Sequence, residues 1–170
     1  MTMKLTITDA CIFIDLHLLG LVVPFFELDV ETHTSLDVFN ELNEEQQHLL
    51  SAYQSMGKLT VHTIHHEDRI AIHKVGYPKA LSEMDCTVLY LAVQLGAIVL
   101  SSDKTVRNFA KKSSIEYHGM LWILDELVVQ NRIASTVAAS KLRQLITSNY
   151  IYQNNAVLVK EMNKRLRIWQ

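Results

Sequence analysis

The sequence predicts an α/β protein: a short parallel sheet with helices on both sides and a helical addition at the C-terminus. Three observations carry that prediction. Short apolar runs that end in a polar residue alternate with amphipathic segments of helical length, the pattern of strand–helix–strand units. Several of those segments open on a capping residue and close on glycine. From about Ala134 onward only helical periodicity remains. The 170 residues, 49% hydrophobic and 20% charged, suit one domain with a substantial core. We divide them into an α/β domain over 1–133 and a helical extension packed on it over 134–170.

Lys4 to Thr8 alternates and meets Asp9, which reads as a strand. Ala10 to Leu19 reads as a helix stopped by Gly20, and Phe25 to Val30 as a second strand. Ser35 is placed to cap a short helix carrying Leu36, Phe39 and Glu41. Asn43 before Glu44-Glu45-Gln46 starts a helix that runs to about Met56, and Leu59 to His62 is a short strand. LSEMDCTVLYLAVQLGA is the clearest helix: Ser82 caps it, Asp85 is three residues on, Leu89, Ala92 and Val93 recur on one face, and Gly96 stops it. Ala97 to Leu100 is the next strand and Lys104 to Lys112 the next helix, with Val106, Phe109 and Ala110 inward. Ile115 to His118 is a last strand. Met120 to Gln130, Ser135 to Thr147 and Asn155 to Ile168 are helices, the last with Leu158, Met162, Leu166 and Trp169 along one side.

Composition removes several classes. Two cysteines, Cys11 and Cys86, give neither a metal knuckle nor a disulfide framework. The segment MTMKLTITDACIF lacks the layout of a secretion signal, and no run of about 18 apolar residues occurs. A cytoplasmic protein with no membrane span is the expectation. Charge is unevenly placed: residues 1–100 hold five Lys/Arg against thirteen Asp/Glu, and residues 101–170 hold eleven against five. That asymmetry suits a cation held in one place and a polyanion in another, and equally an ordinary variation of surface charge.

Four acids stand at element ends. Asp9 follows the first strand and Asp103 follows the strand Ala97–Leu100. Asp85 is in the first turn of its helix, and Glu41 is near the end of the short one. In a parallel sheet the carboxyl ends of the strands are where ligands bind. Gathered carboxylates repel unless a cation sits among them, and hard ions such as Mg²⁺ or Mn²⁺ take oxygen ligands. An ion so held activates water and stabilises charge on a transferring phosphate. Each acid also has a local explanation. Asp9 and Asp103 are ordinary caps, Asp85 completes a capping box with Ser82, and Glu41 depends on a short helix. Glu83 competes with Asp85, and Asp15 lies six residues beyond Asp9.

ITDACIFIDL, DVFNEL, LSEMDCTVLYLAVQLGA and VLSSDKTVRNFA, in this order over about residues 4–118, resemble the PIN domain, a metal-dependent nuclease fold that includes many bacterial toxins of toxin–antitoxin pairs. The resemblance implies a three-layer α/β/α fold. It assigns catalysis to Asp9, Glu41, Asp85 and Asp103, and Mg²⁺ or Mn²⁺ binding to Asp9, Asp85 and Asp103. It implies RNA as substrate, an antitoxin protein as a partner and a homodimer. The sequence departs from the family at Ala10-Cys11, where the usual pattern ends in Ser or Asn, so a polar supporting residue is absent. The tail from Ala134 is longer than in the compact toxins and resembles a less-characterised branch.

Around that site, Ser102 is a candidate to hydrogen-bond the acids, and Lys104 and Arg107 are candidates to touch phosphates. His62, His65, His66 and His73, beside Glu67 and Asp68, match no common zinc spacing and read as a solvated, mobile segment. In the tail, Lys141, Arg143, Lys160, Lys164, Arg165 and Arg167 interleave with Tyr150, Tyr152 and Trp169. An amphipathic helical pair is the favoured reading, with base stacking or a protein partner as alternatives. The activity expected is a metal-dependent endoribonuclease. The alternative is a binding module of the same fold with weak metal affinity. A phosphotransfer receiver would need a downstream strand-end Lys that the chain does not place.

Overall fold

The computed structural model describes residues 3–170. They form two compact units, the first made of residues up to Ile14 with Asp29–Met120, the second of Asp15–Leu28 with Leu121–Gln170.

The first unit is built on a five-stranded, all-parallel sheet flanked by helices. Its strands are β1 (Lys4–Thr8), β2 (Val30–Ser35), β3 (Leu59–His62), β4 (Ile98–Leu100) and β5 (Tyr117–His118), in the order β3-β2-β1-β4-β5. Thr8 pairs with Leu100 and Ile7 with both Val99 and His33. Helix α1 (Ala10–Leu18) leaves β1 directly. Helix α3 (Leu36–Glu41) follows β2 and α4 (Glu44–Ser55) precedes β3. After β3 come α5 (His66–Val75) and α6 (Glu83–Leu95), and α7 (Lys104–Lys112) lies between β4 and β5. Helix α6 packs on β1, β2 and β4. Ile7, Val88, Leu89, Val99 and Leu100 are fully buried there, the burial expected when a parallel sheet is covered by helices.

Most expected elements form, and their caps explain why. Ser35 accepts the Val38 N–H, Asn43 and Gln46 close a capping box, Ser82 and Asp85 close another, and Asn155 accepts the Leu158 N–H. Two expectations are corrected. Phe25–Val30 is not a strand: Val22–Phe25 is the one-turn helix α2, and the strand runs from Val30 to Ser35. Strand β2 reads VETHTS, and it is polar yet buried because its groups are paired; the Thr34 hydroxyl donates to the Thr8 carbonyl at 2.7 Å. The histidine-rich stretch, given no element from sequence, contains the helix His66–Val75, which ends on Gly76 in the left-handed region and leaves His65, His66 and His73 exposed to solvent. On α6, Leu89 and Ala92 face inward while Val93 is exposed.

In the second unit, helices α8 (Met120–Val129), α9 (Ser135–Ser148) and α10 (Ala156–Trp169) are joined by short turns, with a single 3-10 turn at Tyr150–Tyr152. Its core takes Leu16, Phe25, Ile123, Leu127, Leu142, Leu145, Met162 and Trp169. Arg165 forks onto Asp125, with Nε at 2.9 Å and Nη2 at 2.7 Å from its carboxylate oxygens, so this tail arginine ties α10 to α8. Tyr152 is buried and Tyr150 exposed.

Candidate active site at the end of the first strand

The strand order reverses between β1 and β4. Connections leave the carboxyl ends of these two neighbours in opposite directions, and a crevice opens at such a switch point. Asp9 is the first residue past β1. Its N–H donates to the Leu100 carbonyl at 3.1 Å, which extends the β1–β4 ladder by one bond. Its carboxylate caps α1: Oδ1 accepts from the Ile12 N–H at 3.1 Å and from the Cys11 thiol at 2.9 Å. Cys11 thus supplies the polar support that the sequence pattern lacked.

Asp9 is only 4% exposed. Burial pushes its carboxyl up to about 6; hydrogen bonds from Cys11, Ser101 and Ile12 pull the other way, and the nearby Asp85 carboxylate adds to the rise. The Cys11 thiol is pushed far above its usual range, by burial first and then by Asp9, and stays protonated.

Ser101, the first residue past β4, is fully buried opposite Asp9. Its hydroxyl bonds Asp9 and accepts the Asp103 N–H at 3.1 Å. This is one residue before the serine singled out from sequence; the backbone N–H of Ser102 instead approaches the Cys11 sulfur. Asp103 is exposed and caps α7, with Oδ1 accepting the Val106 N–H at 3.0 Å. Asp85 is half-buried in the first turn of α6, and its Oδ2 accepts the Ser82 N–H at 3.0 Å. Glu41 is exposed on the last turn of α3.

The remaining candidates are placed as follows. Lys104 is exposed at the start of α7. Arg107 donates from Nη1 to the Ser101 carbonyl at 3.3 Å, and its guanidinium carbon lies 5.1 Å from the Tyr117 ring centroid. Gly119 makes room for it: a Cβ there would stand 2.6 Å from Nη1. Glu83 is 3.3 Å from Arg69. Asp15 belongs to the second unit, buried beside Asn149, and its pKa is raised by that burial. His62 Nε2 lies 2.8 Å from His33 Nδ1, and burial and His33 lower its pKa.

The structure therefore joins Asp9 to Asp85 electrostatically and to Asp103 through Ser101. Among the described residues no three His, Cys, Asp or Glu side chains form a group that could hold a metal ion. The donor chemistry still fits a hard divalent cation. A buried carboxylate interacts with a second carboxylate, and oxygen donors of this kind are what such an ion takes.

Among the described residues no helix is long and apolar enough to cross a membrane. A family model, DUF3368, described as a PIN domain, matches residues 5–165. No curated protein matches the sequence. PIN domains are generally nucleases and typically use divalent metal ions. The match runs through both compact units, and the chain belongs to the PIN-domain family.

Proposed function

We propose that the protein is a metal-dependent endoribonuclease that hydrolyses RNA phosphodiester bonds, and that it acts as the toxin of a cytoplasmic toxin–antitoxin pair. The observation that carries this reading is Asp9: a buried carboxylate at the sheet's switch point, raised to about 6 and interacting with Asp85. Asp9, Asp85 and Asp103 are the residues to hold Mg²⁺ or Mn²⁺, with Glu41 as the fourth acid. When bound, such an ion activates water and stabilises charge on the transferring phosphate. The chain's own groups do the rest. The Cys11 thiol, the Ile12 N–H and the Ser101 hydroxyl fix the Asp9 carboxylate, and the Ser101 hydroxyl also fixes the Asp103 backbone. Lys104 and Arg107, in the first turns of α7, face RNA phosphates. The partners on this reading are RNA, an antitoxin protein and a second copy of the chain. Free Cys11 and Cys86 suit a reducing compartment.

The test is cleavage of a labelled mixed-sequence RNA in Mn²⁺, Mg²⁺ or EDTA by the wild type and by Asp9→Asn/Asp103→Asn. Metal-dependent cleavage that the double variant lacks supports the reading. A second reading, a PIN-fold module that binds nucleic acid or protein, is favoured by Asp85 and Asp103 being engaged as helix caps. No cleavage and no Mn²⁺ binding by calorimetry, with partner affinity kept in EDTA, supports that one.

A further inference from the structure

We propose that Arg69 is a positioning residue for the acid site, acting through α5 as a strap between the helices that carry Glu41 and Asp85; this rests on the nuclease reading above. Helix α5 lies in the histidine-rich stretch that sequence reads as solvated. It is closed at its start by a box in which the His65 N–H donates to Asp68 Oδ2 at 2.9 Å. From its first turns, Arg69 reaches Asp37 with a two-pronged bridge: Nη1 to Oδ2 at 2.7 Å and Nη2 to Oδ1 at 2.8 Å. Nη1 also reaches Glu83 Oε1 at 3.3 Å.

Both partners are next to site acids. Asp37 is in the first turn of α3, four residues before Glu41, so the two share a helix face. Glu83 opens α6, two residues before Asp85. The strap has a second fastening: Tyr90, further along α6, donates to Asp68 Oδ1 at 2.9 Å. Below it, the Ser35 and Thr87 hydroxyls meet at 2.7 Å; Thr87 gives its proton to the Met84 carbonyl, so Ser35 is the donor. Helices α3 and α6 are thereby held in one mutual orientation. A planar fork on a carboxylate fixes direction as well as distance, which a lysine cannot do. Arg69 bonds none of the four site acids. Its effect on them is to set the azimuth of α3 and the start of α6.

The experiment is a double-mutant cycle of Arg69→Ala and Asp37→Asn, with Arg69→Lys as a milder variant. Each protein is measured for Mn²⁺ affinity by calorimetry, for kcat and KM on RNA, and for melting temperature. The expected result is Mn²⁺ affinity weakened in either single variant by about 10-fold at most, the low end of the loss from removing a ligand's direct hydrogen-bond partner, because Arg69 acts on the acids through their helices. The double variant should lose no more than Arg69→Ala alone, because that variant already lacks the Asp37 bridge along with the contact to Glu83. The kcat should fall while KM holds, and Arg69→Lys should recover part of the affinity at most. Unchanged Mn²⁺ affinity in variants that merely melt earlier would overturn the proposal and leave Arg69 a stabilising contact. A raised KM confined to Arg69 variants would also overturn it, in favour of direct contact with RNA. A wild type that neither binds Mn²⁺ nor cleaves would sink the nuclease reading itself, a result distinct from either.

Discussion

The Cys11 thiol donates to Asp9 Oδ1 across 2.9 Å, at the point where the first strand becomes the first helix. A thiol is a weak donor, yet here it and a backbone N–H share one oxygen of a buried carboxylate. Cys11→Ala deletes one of the bonds that hold Asp9 down in pKa and fixed in direction. The loss should be about 1 kcal/mol in Mn²⁺ binding near neutral pH. Cys11→Ser keeps a donor and should bind within a few-fold of the wild type. Calorimetric titration of the three proteins checks this, and equal affinity in all three would remove Cys11 from the site. Because the thiol stays protonated, iodoacetamide should label it slowly at pH 8 in the folded protein and quickly in urea.

Burial of Asp9 also sets a pH dependence. Its carboxyl is raised from 3.8 to about 6, so between those values the folded, metal-free chain holds a proton that the unfolded chain has lost. Asp9's own contribution to metal-free stability is therefore most favourable at low pH and declines as pH rises through that window. It levels off above about 6. A shift of this size corresponds to about 3 kcal/mol at most. Asp9→Asn removes the buried charge and keeps an acceptor for Cys11 and Ile12. It should raise metal-free stability at pH 7.5 by about 1–3 kcal/mol while abolishing Mn²⁺ binding. Urea melts at pH 4.5 and 7.5 test it, and a variant less stable than wild type at pH 7.5 would refute it.

Arg165 looks, in sequence, like one more base in a basic tail. In the structure it grips Asp125 with two prongs and Glu161 with a third bond at 3.1 Å, at 20% side-chain exposure. Arg165→Ala should cost about 1–3 kcal/mol of stability, the range for charge-assisted bonds, and Arg165→Lys should recover only part. RNA affinity should not change. A fall in RNA binding at unaltered melting temperature would give Arg165 back to the nucleic-acid surface.

What the sequence discloses is what is local. The caps at Ser35, Asn43, Ser82, Asp103 and Asn155 act within three residues of themselves, and they fixed the helix starts correctly. Asp9 and Asp103 were legible at their strand ends for the same reason. Three features were not. Strand β2 carries threonine, histidine and serine at buried positions, and its hydrogen-bond partners are 26 and 52 residues away in the chain. Helix α5 lacks a strong apolar stripe and is held by Arg69–Asp37 and Tyr90–Asp68, separations of 32 and 22 residues. Ser101 joins Asp9 only because Thr8 is in register with Leu100, a pairing between positions 92 residues apart that no local pattern states.

That register also makes Gly119 matter. Its backbone needs no left-handed angle, so alanine meets no conformational barrier there. What alanine meets is Arg107 Nη1 at 2.6 Å, with the Ser101 carbonyl behind it at an ordinary 3.5 Å. The terminal nitrogen of a long side chain moves cheaply, so Gly119→Ala should fold with a stability loss of about 1 kcal/mol or less. The guanidinium cannot stay where it is, however. It must give up its 3.3 Å bond to the Ser101 carbonyl, and with it one of the contacts that hold the residue between Asp9 and Asp103. If Arg107 acts by steadying Ser101, Gly119→Ala and Arg107→Ala should lower cleavage to a similar degree, and the double variant no further. If Arg107 acts by touching phosphate, the displaced but intact guanidinium of Gly119→Ala should leave cleavage nearly whole while Arg107→Ala loses it. Cleavage rates for the three variants, beside their melting temperatures, decide between the two.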